Sequence, residues 1–310
     1  MDLRLGSDLP NLSKTKRINL ERNIGSIQVL VSGNSHPMCG INPDKFQRSG
    51  FNLGFESTDL FEQQQLLYRY VDAMPNLKLV LQNISDFSLR YNHIYRPNNW
   101  ITCDFVREFH IFPTNLLLLS DYDFCSTLTK MSINPFGNII EWQKYITSKN
   151  YKDTIAINNG WVSCNHPFVY TPQPQTTTDV NSQTAKLDTD STSENLMRIR
   201  DINSLLKNKG IKFVLITTPY HRYGRENIMK NPVQYDEMQK EINLLSQKYG
   251  IPYYNFIADT RFTDEDYQDP SHLNPHGADK FSEIIRNEII RPILGLESKN
   301  VKELTLGDIR

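Results

Sequence analysis

The chain has 310 residues, 38% of them hydrophobic and 22% charged, and its 34 Lys and Arg against 35 Asp and Glu give a formal charge of -1. This composition suits a globular protein with a full sheet-and-helix core, and the 15 Tyr and 15 Phe exclude wholesale disorder. It offers no basic surplus for nucleic acid and no apolar run long enough to cross a membrane.

The N-terminal stretch has no apolar signal-like core, so the chain as written reads as cytoplasmic. A cell-envelope location is the alternative if a signal or anchor precedes it. Cys39, Cys103, Cys125 and Cys164 are scattered and form no C-x-x-C pair, so neither a disulfide framework nor a zinc site is expected. Cys164, His166 and His110 read as bystanders. No metal and no cofactor are expected.

In chain order, Ile27-Gln28-Val29-Leu30-Val31 predicts a first strand that ends at Ser32-Gly33. An apolar patch around Phe51-Asn52-Leu53 follows. Asp59 with Glu62 three residues later marks a helix start, and Leu60, Leu67, Tyr70, Val71 and Met74 keep one face apolar until Pro75. Leu77-Lys78-Leu79-Val80-Leu81 is the next strand. Strand, crossover helix, strand is the pattern of a parallel sheet covered by helices.

That pattern lapses between Ser88 and Asp190. Phe109 to Phe112 and Leu116 to Leu119 predict short buried pieces, Asn158-Asn159-Gly160 a turn, and the polar 171–192 a mobile surface loop. Ile199, Ile202, Leu205 and Leu206 then predict a helix closed by Gly210, followed by a strand at Lys212-Phe213-Val214-Leu215-Ile216. Met238, Ile242 and Leu245 line another helix, and Pro252 to Phe256 form a shorter strand. Asn274 and Pro275 open the last main helix, with Phe281, Ile284, Ile285 and Ile289 as its buried stripe. The reading is an α/β fold: one doubly wound domain over 22–295, an insertion at about 88–195, and a peripheral tail at 296–310.

Ligands of open parallel sheets bind at the carboxyl ends of the strands. Three polar clusters fall there: Gly33-Asn34-Ser35-His36, Asn83-Ile84-Ser85-Asp86 and Asp269-Pro270-Ser271-His272. A serine at a strand exit, a histidine to take its proton and a carboxylate to orient the histidine are the parts of a nucleophilic triad.

The first and last clusters, the latter continued by Asn274 and Gly277-Ala278-Asp279-Lys280-Phe281, resemble the first and last blocks of the SGNH, or GDSL-type, hydrolase superfamily. The resemblance covers about 27–90 and 198–290 and leaves out the insertion. It implies a three-layer α/β/α, flavodoxin-like fold with a parallel sheet, Ser35 as nucleophile, and Asp269 and His272 as the rest of the triad. It also implies an oxyanion hole built from the backbone N–H groups of Ser35 and Ser57 and a side-chain donor. The chain departs from the family in three places. Asn34 replaces the common aspartate, Ser57 stands where a glycine is usual, and Ser85 stands where an asparagine is expected. Asn83 is therefore the favoured third donor, with Ser85 as the alternative.

His36, Tyr220 and His221 are candidate substrate contacts. His36, next to the nucleophile, is poorly placed as a general base, and Tyr220 and His221 read equally well as incidental rim polarity. The expected function is a serine esterase acting on an acyl, most readily acetyl, ester of a small molecule or carbohydrate. Asn34-Ser35-His36 and Ile41-Asn42-Pro43 are similar to openings in proteins linked to bacterial surface polysaccharides. Polysaccharide O-acetyl transfer, or carbohydrate binding and assembly without catalysis, are the alternatives. The insertion is expected to form a lid or side wall over Ser35, and the sequence does not fix the oligomeric state.

Overall fold

The computed structural model describes residues 12–92, 99–112, 159–164, 189–230 and 232–295. Five strands, β1 (Val29–Gly33), β2 (Gly50–Gly54), β3 (Leu79–Asn83), β4 (Lys212–Thr217) and β5 (Tyr253–Asn255), form one sheet in the order β2-β1-β3-β4-β5. Every pairing is parallel, with Val29 opposite Gly50 on one side and Leu79 on the other.

The helices are α1 (Leu12–Asn23), α2 (Ser35–Gly40), α3 (Leu60–Tyr70), α4 (Asn99–Phe109), α5 (Thr189–Asn208), α6 (Arg222–Ile228), α7 (Pro232–Tyr249), α8 (Pro275–Ile285) and α9 (Arg291–Leu294). Alternation along the central strands divides the core between two faces. Leu30, Val80, Phe213 and Leu215 pack with Leu67 of α3, Ile199 and Ile202 of α5 and Ile242 of α7. Val29, Val31, Leu79, Leu81, Val214 and Ile216 pack with Phe281 and Ile285 of α8. This is the three-layer α/β/α fold expected from the sequence.

Local chemistry sets the element ends. Asp59 and Glu62 close a capping box on α3, and Asn274 caps α8 with Pro275 in its first turn. Thr189 to Thr192, expected to end a surface loop, instead open α5. The expected pieces at 116–119, the rest of the 171–192 loop and the 296–310 tail lie outside the described residues.

Ahead of residue 22, α1 adds Leu20 to the core. It also buries Lys16 completely, and the Lys16 ammonium donates to the Gly54 carbonyl and lies 4.7 Å from the centre of the Phe55 ring. Burial pushes the Lys16 pKa well down. Within the expected insertion, α4 sets Phe105 and Phe109 against Phe55.

Residues 159–164 run beside the edge strand β2. Asn52 N–H donates to Asn159 O at 2.7 Å, and Val162 N–H donates to Met38 O at 3.2 Å. The cysteine reading needs correction here, because Cys39 of α2 and Cys164 are disulfide-bonded across 125 positions. A crosslink closing so long a loop restricts the unfolded chain and stabilises by about 2–5 kcal/mol. Replacing both cysteines with Ala should lower the urea midpoint accordingly. An unchanged midpoint, or free thiols at both positions in a non-reducing peptide map, would contradict the pairing.

Candidate active site

The strand order reverses between β1 and β3, and the crevice there is where such sheets bind ligands. β1 ends at Gly33, where a β-carbon would stand 2.6 Å from Pro37 Cγ and 2.7 Å from Asn83 Cβ. Only glycine lets the chain turn into α2 this close to β3. Asn34 caps α2, its side-chain oxygen accepting from the His36 N–H at 3.1 Å, which leaves Ser35 as the first helical residue.

The loop before α8 is pinned by the Tyr267–Leu273 bridge and by Gln268 N–H donating to His272 O at 3.0 Å. It presents His272 to Ser35 with Nε2 and Oγ 2.9 Å apart. On the other side of the ring, Nδ1 lies 2.8 Å from Asp269 Oδ2. Asp269 Oδ1 accepts from the N–H groups of Ser271 and His272 at 2.8 and 2.9 Å. A carboxylate held this way keeps the histidine proton on Nδ1 and leaves the Nε2 lone pair facing the serine hydroxyl.

Burial alone would raise the Asp269 pKa. The His272 hydrogen bond and charge, with those two N–H donors, outweigh it and hold the carboxyl down to about 2. An unfolded aspartate titrates near ~3.9. Asp269 therefore contributes stability that is complete above about pH 4 and is lost as the pH falls through about 2. Asp269→Asn should flatten the fall in unfolding free energy across that window. An acid limb identical to wild type would show that the carboxylate is not held as described.

Ser57 has φ 54°, the left-handed conformation that a glycine adopts freely, at the position where the resembled family carries glycine. Its N–H and that of Ser35 have no hydrogen-bond acceptor among the described residues. Asn83 requires a correction. It is buried, and its amide donates to Ser85 Oγ at 2.9 Å and reaches Asn34 Oδ1 at 3.4 Å. Ser85 is buried too and also accepts from Asn34 Nδ2 at 2.8 Å. Neither the Asn83 N–H groups nor the Ser85 hydroxyl is free for substrate, because Asn34, Ser85 and His36 engage them from within the fold.

His221 is a second correction. It caps α6 by accepting from the Tyr223 N–H, and its Nε2 lies 2.9 Å from Asp264 Oδ1, so both ring nitrogens are engaged away from the site. Tyr220 is turned inward and donates to Asp86 Oδ1 at 2.9 Å beside the His36 ring. His36 stays close to the triad, its ring centre 4.8 Å from that of His272. Burial, and then the field of His272, push the His36 pKa well below the usual range, with Asp269 offsetting only part.

Glu56 was not singled out from the sequence. Burial raises its carboxyl pKa, and the field of His272 offsets part of that rise. Its position one residue before Ser57, an expected oxyanion donor, is the signal the sequence offers. Among the described residues no cluster of side chains is suited to a metal ion.

No family model matches the sequence, and no curated protein matches it. Solved structures do. A candidate acylhydrolase from Bacteroides fragilis NCTC 9343 is 14% identical, with 91% of this chain and 97% of that one covered at a TM-score of 0.44. A GDSL-like lipase from Bacteroides thetaiotaomicron VPI-5482 is 14% identical, with 91% and 98% covered at a TM-score of 0.43. Likeness of this degree carries nothing about activity, which rests on the side chains described above.

Proposed function

We propose that the chain is a serine esterase that cleaves an acyl ester through an acyl-enzyme on Ser35. The observation that carries this reading is the Ser35–His272–Asp269 relay, with contacts of 2.9 and 2.8 Å at the crevice of the sheet. His272 takes the Ser35 proton as Oγ attacks the ester carbonyl. The N–H groups of Ser35 and Ser57 face the charge that develops on the carbonyl oxygen. Collapse of the intermediate breaks the ester C–O bond, and His272 returns the proton to the departing alcohol. Water, deprotonated by the same histidine, then releases the acid and frees Ser35.

The acyl group is proposed to be acetyl and the alcohol a carbohydrate hydroxyl. Support for that step comes from the sequence alone, in Asn34-Ser35-His36 and Ile41-Asn42-Pro43. Transfer to a second sugar hydroxyl shares the acyl-enzyme and differs only in what resolves it. The Cys39–Cys164 disulfide supports a location in an oxidising compartment, on the envelope side of the alternatives raised above.

The test is reaction with a serine-directed fluorophosphonate beside turnover of p-nitrophenyl acetate. An adduct on the peptide carrying Ser35 is expected. Polysaccharide binding with neither adduct nor turnover would replace the esterase by a binding protein.

A further inference from the structure

The oxyanion hole has two main-chain donors, and the side chains expected to add a third are occupied. Hydrogen-bond accounting around Ser85 shows which side chain is left. Ser85 Oγ has three close partners, Asn34 Nδ2 at 2.8 Å, Asn83 Nδ2 at 2.9 Å and His36 Nδ1 at 2.6 Å, with the Tyr220 hydroxyl further out but still within its reach. Both amides are fixed in orientation. Asn34 Oδ1 already accepts the His36 N–H, and turning Asn83 over would set its oxygen against Asn34 Oδ1. Two N–H donors fill the two lone pairs of the hydroxyl, and the 2.6 Å contact with His36 Nδ1 needs a hydrogen between the two atoms, so the Ser85 hydrogen goes there rather than to Tyr220. That nitrogen is therefore bare.

Burial disfavours the imidazolium form of His36, and the neutral ring must then carry its hydrogen on Nε2. The described partner of Nε2 is Tyr220 Oη at 3.4 Å, and the same oxygen lies 3.0 Å from Nδ1. An oxygen nearly equidistant from the two nitrogens lies over the face of the ring, well away from the Nε2–H direction, which runs in the ring plane. The Tyr220 hydrogen is committed to Asp86. A neutral N–H donor is thus left without a good acceptor, on the residue next to the nucleophile and on a ring 4.8 Å from the His272 ring.

We propose that His36 is a catalytic residue that donates its Nε2–H to the substrate acyl oxygen, in the role expected of Asn83, with Ser85 as the positioning residue that sets its tautomer. The proposal rests on the esterase reading above. No proton is transferred in this step. The hydrogen bond strengthens as the carbonyl oxygen gains charge and relaxes when the intermediate collapses. A neutral imidazole suits the task because it polarises the carbonyl without placing a second cation beside His272 when that ring takes the Ser35 proton.

Two variants separate donation from packing. His36→Phe fills the space with no donor, whereas His36→Gln keeps an N–H on a flexible arm. With p-nitrophenyl acetate, His36→Phe should lower kcat by roughly 100–1000-fold while KM moves only a few-fold, as for a contact made chiefly in the transition state. His36→Gln should recover part of kcat, with melting temperatures close to wild type. Nitrogen-15 imidazole spectra of the wild-type chain should show His36 protonated at Nε2 and bare at Nδ1. A folded His36→Phe variant with kcat within about threefold of wild type would overturn the proposal. A wild-type His36 protonated at Nδ1 would overturn it as well, even if His36→Phe did not fold. A fluorophosphonate adduct on wild-type Ser35 with His36→Phe unimpaired removes the His36 role alone, whereas no adduct on wild type removes the esterase reading and this role together.

Discussion

Ser35→Ala is expected to bring ester hydrolysis to background, a fall on the order of 10⁶ in kcat, with no change in fold. The substitution removes the atom that forms the acyl bond, and no neighbouring group can replace it. Ser85 Oγ is buried and spends its hydrogen on His36, and Ser271 Oγ lies on the Asp269 side of the His272 ring. Stability should survive because Asn34, not Ser35, caps α2. His272→Ala should cost nearly as much as Ser35→Ala. Asp269→Asn should cost less, about 10⁴-fold, since the histidine remains and loses only its orientation and tautomer. The effects should not add, because the three side chains act as one unit. The measurement is kcat on p-nitrophenyl acetate for each single variant and for Ser35→Ala combined with His272→Ala. Measurable turnover by Ser35→Ala with an unshifted fluorophosphonate adduct would place the nucleophile elsewhere.

The strands were legible because β1, β3 and β4 are buried on both faces and so appear as unbroken apolar runs. Their observed ends drift by two residues where Ser32, Gln82 and Asn83 continue the ladder without apolar side chains. The triad was legible because its parts lie at strand and helix ends, which turn and capping residues mark. Three features left no local trace. Helix α1 carries a fully buried lysine where a periodic reading looks for an apolar residue. The Cys39–Cys164 pair spans 125 positions with no spacing pattern, and only the passage of 159–164 along β2 joins the two ends. The polar groups behind the nucleophile could be named but not paired. Which of Asn34, Asn83, Ser85 and His36 saturate one another depends on distances of about 3 Å between segments some fifty residues apart. The same holds for His221, whose place at the end of β4 was legible while its commitment to the α6 cap and Asp264 was not.

Asn52→Leu is expected to destabilise the fold by about 2–4 kcal/mol and to take activity with it. Asn52 is fully buried in β2, yet its side chain makes three bonds, all to backbone. The amide donates to Pro37 O and to Ile41 O, each at 2.7 Å, and Oδ1 accepts the Gly54 N–H at 2.9 Å. Leucine matches its size and is the more apolar residue, so a burial argument alone predicts stabilisation. Hydrogen-bond accounting reverses the sign, because each buried backbone group left unpaired costs about 1–3 kcal/mol. Pro37 O keeps the Ile41 N–H at 3.0 Å, but Ile41 O and the Gly54 N–H lose their only partner among the described residues, and two such groups exceed the ~1–2 kcal/mol gained by burying the extra apolar surface. Two of the carbonyls belong to the α2 segment that begins at Ser35, and the third group ends the strand leading to Ser57. The residue thus couples the nucleophile's helix to the oxyanion loop, and a loss of kcat beyond the loss of folded protein should accompany the drop in stability. Asn52→Asp sharpens the test. It keeps the acceptor for Gly54 but turns a carboxylate toward two carbonyl oxygens, and should be at least as destabilising at neutral pH while recovering partly in acid as the group protonates. Urea unfolding of both variants, with kcat on p-nitrophenyl acetate at 25 °C, reads out each part. An Asn52→Leu variant within about 1 kcal/mol of wild type would show that Ile41 O and the Gly54 N–H find other partners and that Asn52 does not tie the two halves of the site together.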